Sequence, residues 1–305
     1  MVQRQHRGML ALGAAVLLWA SFALTVRGIG GSGLTAMDAA LLRFGTPVVL
    51  LSPWLPRAVR AVRRERPTTI AALLLAGLPH YLLSALGGRL ASAAVVGLLL
   101  PGTVPLFVAL LKRDRRRWPA LAAILLGVAV LTVAHAGLAG IAVLLAAGLA
   151  WAVYTMALSR TGLDLISLVL VVCTPSALIA LAGSAHLKAA PAGTIVLFVV
   201  LQGVGTGIVS TLSYAYAVRR LGSSIPAVTG ALSPVLTTLL AVPIFGEGLT
   251  AGAAVALLLI VGGVVAYNAP QRQRLTTPAA ALRSRTGSRR DPWVAARTVD
   301  GVSSR

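Results

Sequence analysis

The chain has 305 residues, of which 57% are hydrophobic and 11% charged, with a mean hydropathy of +0.89. A soluble domain carries about 25% charged residues, so a water-soluble globule is excluded, and apolar residues this dense exclude disorder over most of the length. The single cysteine, Cys173, excludes an intrachain disulfide or a cysteine metal cage, and the distribution of the +20 charge decides against nucleic acid.

A helix needs about 20 mostly apolar residues to cross a hydrocarbon core of about 30 Å. Stretches poor in Asp, Glu, Lys and Arg predict ten such spans, at 8–27, 37–56, 68–88, 90–111, 118–135, 138–158, 165–185, 193–218, 223–244 and 250–267. They lack the period-2 alternation of a barrel strand, so all are predicted to be helices. The first run is too long for the apolar core of a signal peptide and reads as a retained span.

With ten spans and a cytoplasmic N-terminus, 23 of the 27 basic residues fall inside. They include Arg57, Arg60, Arg63, Arg64 and Arg66, the run Lys112–Arg117, and Arg219 with Arg220. Only Arg27, Arg43, Arg89 and Lys188 fall elsewhere. This is the asymmetry of a protein of the cytoplasmic (inner) membrane with both termini in the cytoplasm.

The two halves echo each other. Leu18-Trp19-Ala20 returns as Ala150-Trp151-Ala152, Arg89-Leu90-Ala91-Ser92 as Arg220-Leu221-Gly222-Ser223, and Pro105 as Pro234, at offsets of 132, 131 and 129. Five spans per half is an odd number, so the second copy enters from the opposite side. The expected fold is an all-α polytopic membrane protein of ten transmembrane helices in two inverted five-helix repeats, 1–135 and 136–268, followed by a basic, disordered cytoplasmic tail, 269–305.

Several residues carry a resemblance. These are the Trp-Ala pair in the first and sixth spans, Leu42-Arg43-Phe44 in the second, and Arg-Leu-x-Ser before the fourth and ninth. Pro105, Pro234 and Gly246-Glu247 complete the set. In this order they resemble the EamA-type members of the drug/metabolite transporter superfamily, over about residues 8–268. The resemblance implies a pathway lined by spans 1, 3, 4, 6, 8 and 9, and export or exchange of small metabolites or drugs by alternating access. One departure is Lys112-Arg113-Asp114, where the first repeat would carry Gly-Glu.

Ionisable groups inside a membrane are candidate functional residues. His80 lies mid-span beside Pro79, which removes a backbone donor, and Ser84 shares its helix face four residues on. His80 is either a substrate or proton contact or a histidine satisfied by neighbouring helices. Arg43 either attracts an anion or caps helix-end carbonyls, and Asp38, five residues earlier, points away from it. Glu247 is an interfacial charge or a functional acid.

Gln202, Thr206, Ser210 and Ser213 form one polar stripe, which lines a watery cavity or bonds a neighbouring helix. Gly203-x-x-x-Gly207 is a close-packing signal. Trp19 and Trp151, with Ser21 and Tyr154 nearby, offer stacking surfaces in equivalent spans. Pro101, Pro105, Pro226 and Pro234 kink spans four and nine, the expected moving or substrate-facing elements.

Gly28-Ile29-Gly30-Gly31-Ser32-Gly33 fits GxGxxG, but no strand precedes it. HExxH, GxSxG and Walker A sequences are absent, so no enzyme activity, cofactor or metal is expected. The expected partners are a small-molecule substrate and the lipid bilayer, with a homodimer as a candidate assembly. A membrane scaffold that transports nothing is the rival reading.

Overall fold

Apolar runs bury their backbone groups in helices, and the computed structural model is all-helical among the described residues. Those are residues 2–268 except 114–117, 136, 186, 188–189, 222–225, 227–229, 231, 247 and 249. The tail, Asp114, Lys188, Ser223 and Glu247 therefore lie outside the described residues, as does the side chain of Pro234.

The helices are α1 (Val2–Gly28), α2 (Ala36–Leu50), α3 (Leu55–Val62), α4 (Pro67–Leu74), α5 (Leu78–Leu90), α6 (Ala93–Gly102) and α7 (Val104–Leu111). They continue as α8 (Trp118–His135), α9 (Leu138–Leu158), α10 (Leu165–Gly183), α11 (Ala192–Phe198), α12 (Thr211–Leu221), α13 (Leu232–Phe245) and α14 (Ala251–Asn268). A π-helical segment, Val199–Ser210, joins α11 to α12. Five stretches are long and apolar enough to cross a membrane: His6–Gly28, Pro67–Leu90, Leu138–Leu158, Leu165–Gly183 and Ala192–Leu221. A sixth is the pair Ala36–Leu50 and Ser52–Val62, bent by 66°. The other predicted spans fall on shorter apolar helices, Val95–Leu111, Trp118–Val130, Val235–Phe245 and Ala251–Tyr267.

The bend corrects the straight second span predicted over 37–56. Pro53 and Pro56 cannot continue an α-helix from its interior, and α3 starts afresh with Pro56 in its first turn. Asp38, predicted near the start of that span, lies in its first turn and helps to cap it. Thr35 Oγ1 accepts from the Asp38 N–H, and the Asp38 carboxylate accepts from the Thr35 N–H, a capping box. Its other oxygen accepts from Ser184 Oγ and the Ala185 N–H at the end of α10.

The third span breaks just before Pro79. Proline offers Leu75 no N–H, and the His80 N–H supplies one to that carbonyl at 3.1 Å instead. Ser176 Oγ of α10 accepts the orphaned Leu78 N–H at 3.0 Å. This places the His80 ring.

Packing follows a pattern of exchanged pairs. α2 packs on α10, α8 on α14 and α6 on α13. α1 packs on the π segment and α12, just as α9 packs on α4 and α5. Glycines set the closest approaches. Gly203 faces Thr46, and Gly207 lies against Pro47 and the Arg43 carbonyl, where a Cβ would sit 2.9 Å from that oxygen. The GxxxG face thus seats the π segment on α2.

α1 also orders the two ends of the bundle. Leu221 packs on Gly8 near its start, and Gly88 packs on Val26 near its end. At 1.5 Å per residue these points are roughly 27 Å apart, so Arg89 and Arg220 lie toward opposite ends.

Candidate functional site

A cavity of about 110 Å³ lies in the middle of the bundle. α1 contributes Trp19 and Phe22, α2 Arg43, α5 His80, and α9 Trp151 and Thr155. The eighth span adds Thr206, Ser210, Thr211 and Tyr214. Pro101 and Pro105 face it from the α6–α7 region, and Pro226, Gly230 and Ser233 from the ninth span. Lys112 and Tyr267 complete the wall. All six spans implied by the resemblance line it, and the second and tenth add Arg43 and Tyr267.

Its two ends differ. α6 packs on α13, where Gly97 leaves no room for a Cβ beside Thr237, and Phe245 covers Gly28. α7 turns away to α9. The cavity therefore runs on between α7 and the ninth span to the exposed Lys112.

The aromatic wall is one cluster. Trp19 and Trp151 meet edge to face at 6.0 Å. Tyr214 lies 4.9 Å from Trp19 and 5.9 Å from Trp151, with its hydroxyl 3.3 Å from Thr155 Oγ1. The His80 ring lies 5.0 Å from Trp151 and stacks on Phe22 at 6.2 Å. Its Nδ1 is 3.0 Å from the Ala147 carbonyl. A carbonyl only accepts, so Nδ1 donates to it and Nε2 is the ring nitrogen left for another partner.

Arg43 is the polar pole of the cavity, at 5% exposure. Its Nη1 donates to Gln202 Oε1 at 2.8 Å. Gln202 Nε2 donates in turn to Thr25 Oγ1, which fixes the amide with its oxygen toward the guanidinium. Phe22, Phe44 and Tyr81 surround the charge at 4.7, 5.4 and 5.6 Å. Arg43 Nε has no hydrogen-bond partner. Among the described residues no carboxylate comes within ion-pair distance of it.

Other sequence-predicted residues lie off the cavity. Ser84 Oγ donates back to the His80 carbonyl at 2.7 Å and is fully buried. Gln202 is buried behind Arg43. Tyr154 packs beneath Trp151 at 5.0 Å. Ser21 Oγ is buried without a partner, and Pro79 is exposed on the outside of the bundle. The polar stripe divides, with Thr206 and Ser210 on the cavity, Gln202 against α2 and Ser213 elsewhere.

Tyr214 went unread in the sequence, although the spacing 206, 210, 214 carries it. Lys112 was absorbed into the charge asymmetry. Among the described residues no group of three His, Cys, Asp or Glu could hold a metal.

Apolar membrane-length helices around a polar and aromatic cavity define the class, a multi-pass membrane protein. The comparison with known families is informative for the second half of the chain. Residues 138–269 match the EamA-like transporter family, which bears out the resemblance read in the sequence. This is a transporter family, not an enzyme family. A solved crystal structure shares the fold, with a TM-score of 0.57 at 23% identity over 85% of this chain and 94% of that one. No curated protein matches the chain.

Proposed function

We propose that the chain is a secondary transporter that exports or exchanges small metabolites or drugs across the cytoplasmic membrane. Ten helices cross the bilayer in two inverted five-helix halves, which rock about the cavity. The observation that carries the reading is the cavity itself, which reaches from the aromatic cluster to the exposed Lys112. A scaffold has no need of such a space.

The inverted repeat draws support from the exchanged packing pairs. A two-fold relation between halves makes equivalent helices meet across the axis, as spans 2 and 7, 4 and 9, and 5 and 10 do. It also requires Arg89 and Arg220 at opposite ends. The charge asymmetry assigns the Lys112 end to the cytoplasm, which makes this an inward-open state. The mobile elements are the fourth and ninth spans, where Pro101, Pro105 and Pro226 interrupt the backbone ladder.

No described Asp or Glu lines the cavity, so proton coupling, where it exists, runs through His80 Nε2. The test is uptake and counterflow of a metabolite panel in proteoliposomes, with and without a pH gradient. Saturable counterflow is expected, and gradient-driven accumulation should be lost in His80→Ala. Absence of counterflow for every compound in a broad panel counts against transport. Accumulation that survives in His80→Ala removes the coupling role. Reporter fusions placing Arg89 and Arg220 in one compartment defeat the inverted topology.

A further inference from the structure

We infer that the cavity takes a small organic anion, its charged group on Arg43 and its planar or apolar body against Trp19, Trp151 and Tyr214. This deepens the transporter reading and rests on it for the direction of movement only, since the binding site stands on its own geometry.

The argument starts with the charge. A guanidinium is charged at any physiological pH and offers five N–H donors. Burying it costs several kcal/mol unless it is paired and hydrogen-bonded. Arg43 is almost fully buried, yet one donor alone has an assigned acceptor, the neutral amide of Gln202. An amide oxygen satisfies an N–H without cancelling the charge. The three surrounding rings offset part of the cost. The described carboxylates are engaged elsewhere, Asp38 with Thr35 and Ser184, Glu65 with Thr161 and Gly162, and Asp164 with Arg57. The cavity-facing side of Arg43 is thus a built site for a negative charge, and Gln202, tied back to Thr25, holds it in place.

The rest of the wall agrees. No described carboxylate lines the space to receive an ammonium. Thr206, Ser210 and Ser233 supply hydroxyls. The edges and faces of Trp19, Trp151 and Tyr214, on the same cavity wall, offer an apolar surface for a ring or chain. At about 10–15 Å³ per water, a cavity of about 110 Å³ suits a molecule of roughly ten non-hydrogen atoms.

Three probes share one ring and differ in charge: benzoate, benzamide and benzamidinium. Their binding to the detergent-purified full chain is measured by calorimetric titration and thermal shift. Benzoate is expected to bind at least roughly tenfold more tightly than benzamide, and benzamidinium no better than benzamide. The benzoate preference should vanish in Arg43→Gln and persist, weakened, in Arg43→Lys.

Gln202→Glu keeps a partner for the guanidinium and supplies a resident negative charge. It should stay folded and lose benzoate binding even where Arg43→Gln fails to fold. Equal binding of the three probes, a preference for benzamidinium, no benzoate binding, or benzoate binding unchanged in Gln202→Glu overturns the inference. Counterflow of labelled benzoate in proteoliposomes separates the two readings. Binding without counterflow defeats transport and leaves the anion site. Counterflow of benzamide without benzoate binding does the reverse.

Discussion

Arg43 and Gln202, 159 residues apart in the chain, meet through a hydrogen bond of 2.8 Å in the centre of the bundle. The bond joins a residue of the first half to one of the second. Thr25 holds the far side of the amide, so three spans converge on one charge.

Removing the amide leaves a buried N–H without its acceptor. Gln202→Ala is expected to destabilise the protein by about 1–3 kcal/mol, read as a lower Tm in detergent. Thr25→Val should cost less, because it frees the amide orientation without removing the acceptor. An unchanged Tm in Gln202→Ala would mean that the bond contributes nothing to the fold.

Thiol labelling separates the cavity wall from the residues behind it. In a Cys173→Ala background, cysteines at Thr206 and Ser210 should react with a small hydrophilic reagent. Cysteines at Ser84 and Gln202, both fully buried, should be protected. Uniform protection of all four would argue for a scaffold.

The seat of the π segment on α2 is set by glycines. Gly207→Val places atoms against Pro47 and the Arg43 carbonyl, and Gly203→Val places them against Thr46. Each should lower stability by about 1–3 kcal/mol through overpacking. Gly13→Val, at a position with open space around it, is the control and should change Tm little.

The start of α10 predicts a pH dependence. Partial burial pushes the Asp164 carboxyl up, but the Ser167 N–H and hydroxyl, Arg57 and the Ile166 N–H outweigh it and hold it below its ordinary value. A carboxyl lowered on folding adds stability above its unfolded value, and that stability fades as pH falls through the folded one. Tm measured from neutral pH down through the carboxylate range should drop more in the wild type than in Asp164→Asn. At neutral pH Asp164→Ala should cost about 1 kcal/mol as a lost helix cap. Equal acid sensitivity in wild type and Asp164→Asn would exclude this contribution.

Much of the secondary structure was legible because hydrocarbon burial demands long apolar runs. Leu138–Leu158 stands where the charge gaps put it, and the close-packing signal at Gly203 and Gly207 met a partner helix. The bend after Leu50 was hidden because prolines allow several outcomes at a span end. Ser84 and Gln202, pathway candidates in the sequence, are fully buried, Ser84 bonded to the His80 carbonyl and Gln202 to Arg43. A helix face says which residues align, not which bond their own backbone or a neighbour first.

Sequence alone determined the helical class and the membrane setting, because apolar length and charge spacing are local properties of a chain. Tertiary structure decided which polar groups spend their hydrogen bonds on one another and which remain turned to the cavity. Ser84, Gln202 and Asp38 found partners within the protein, while the guanidinium of Arg43 kept an open side. That outcome depends on contacts between residues more than a hundred positions apart, which no local spacing encodes.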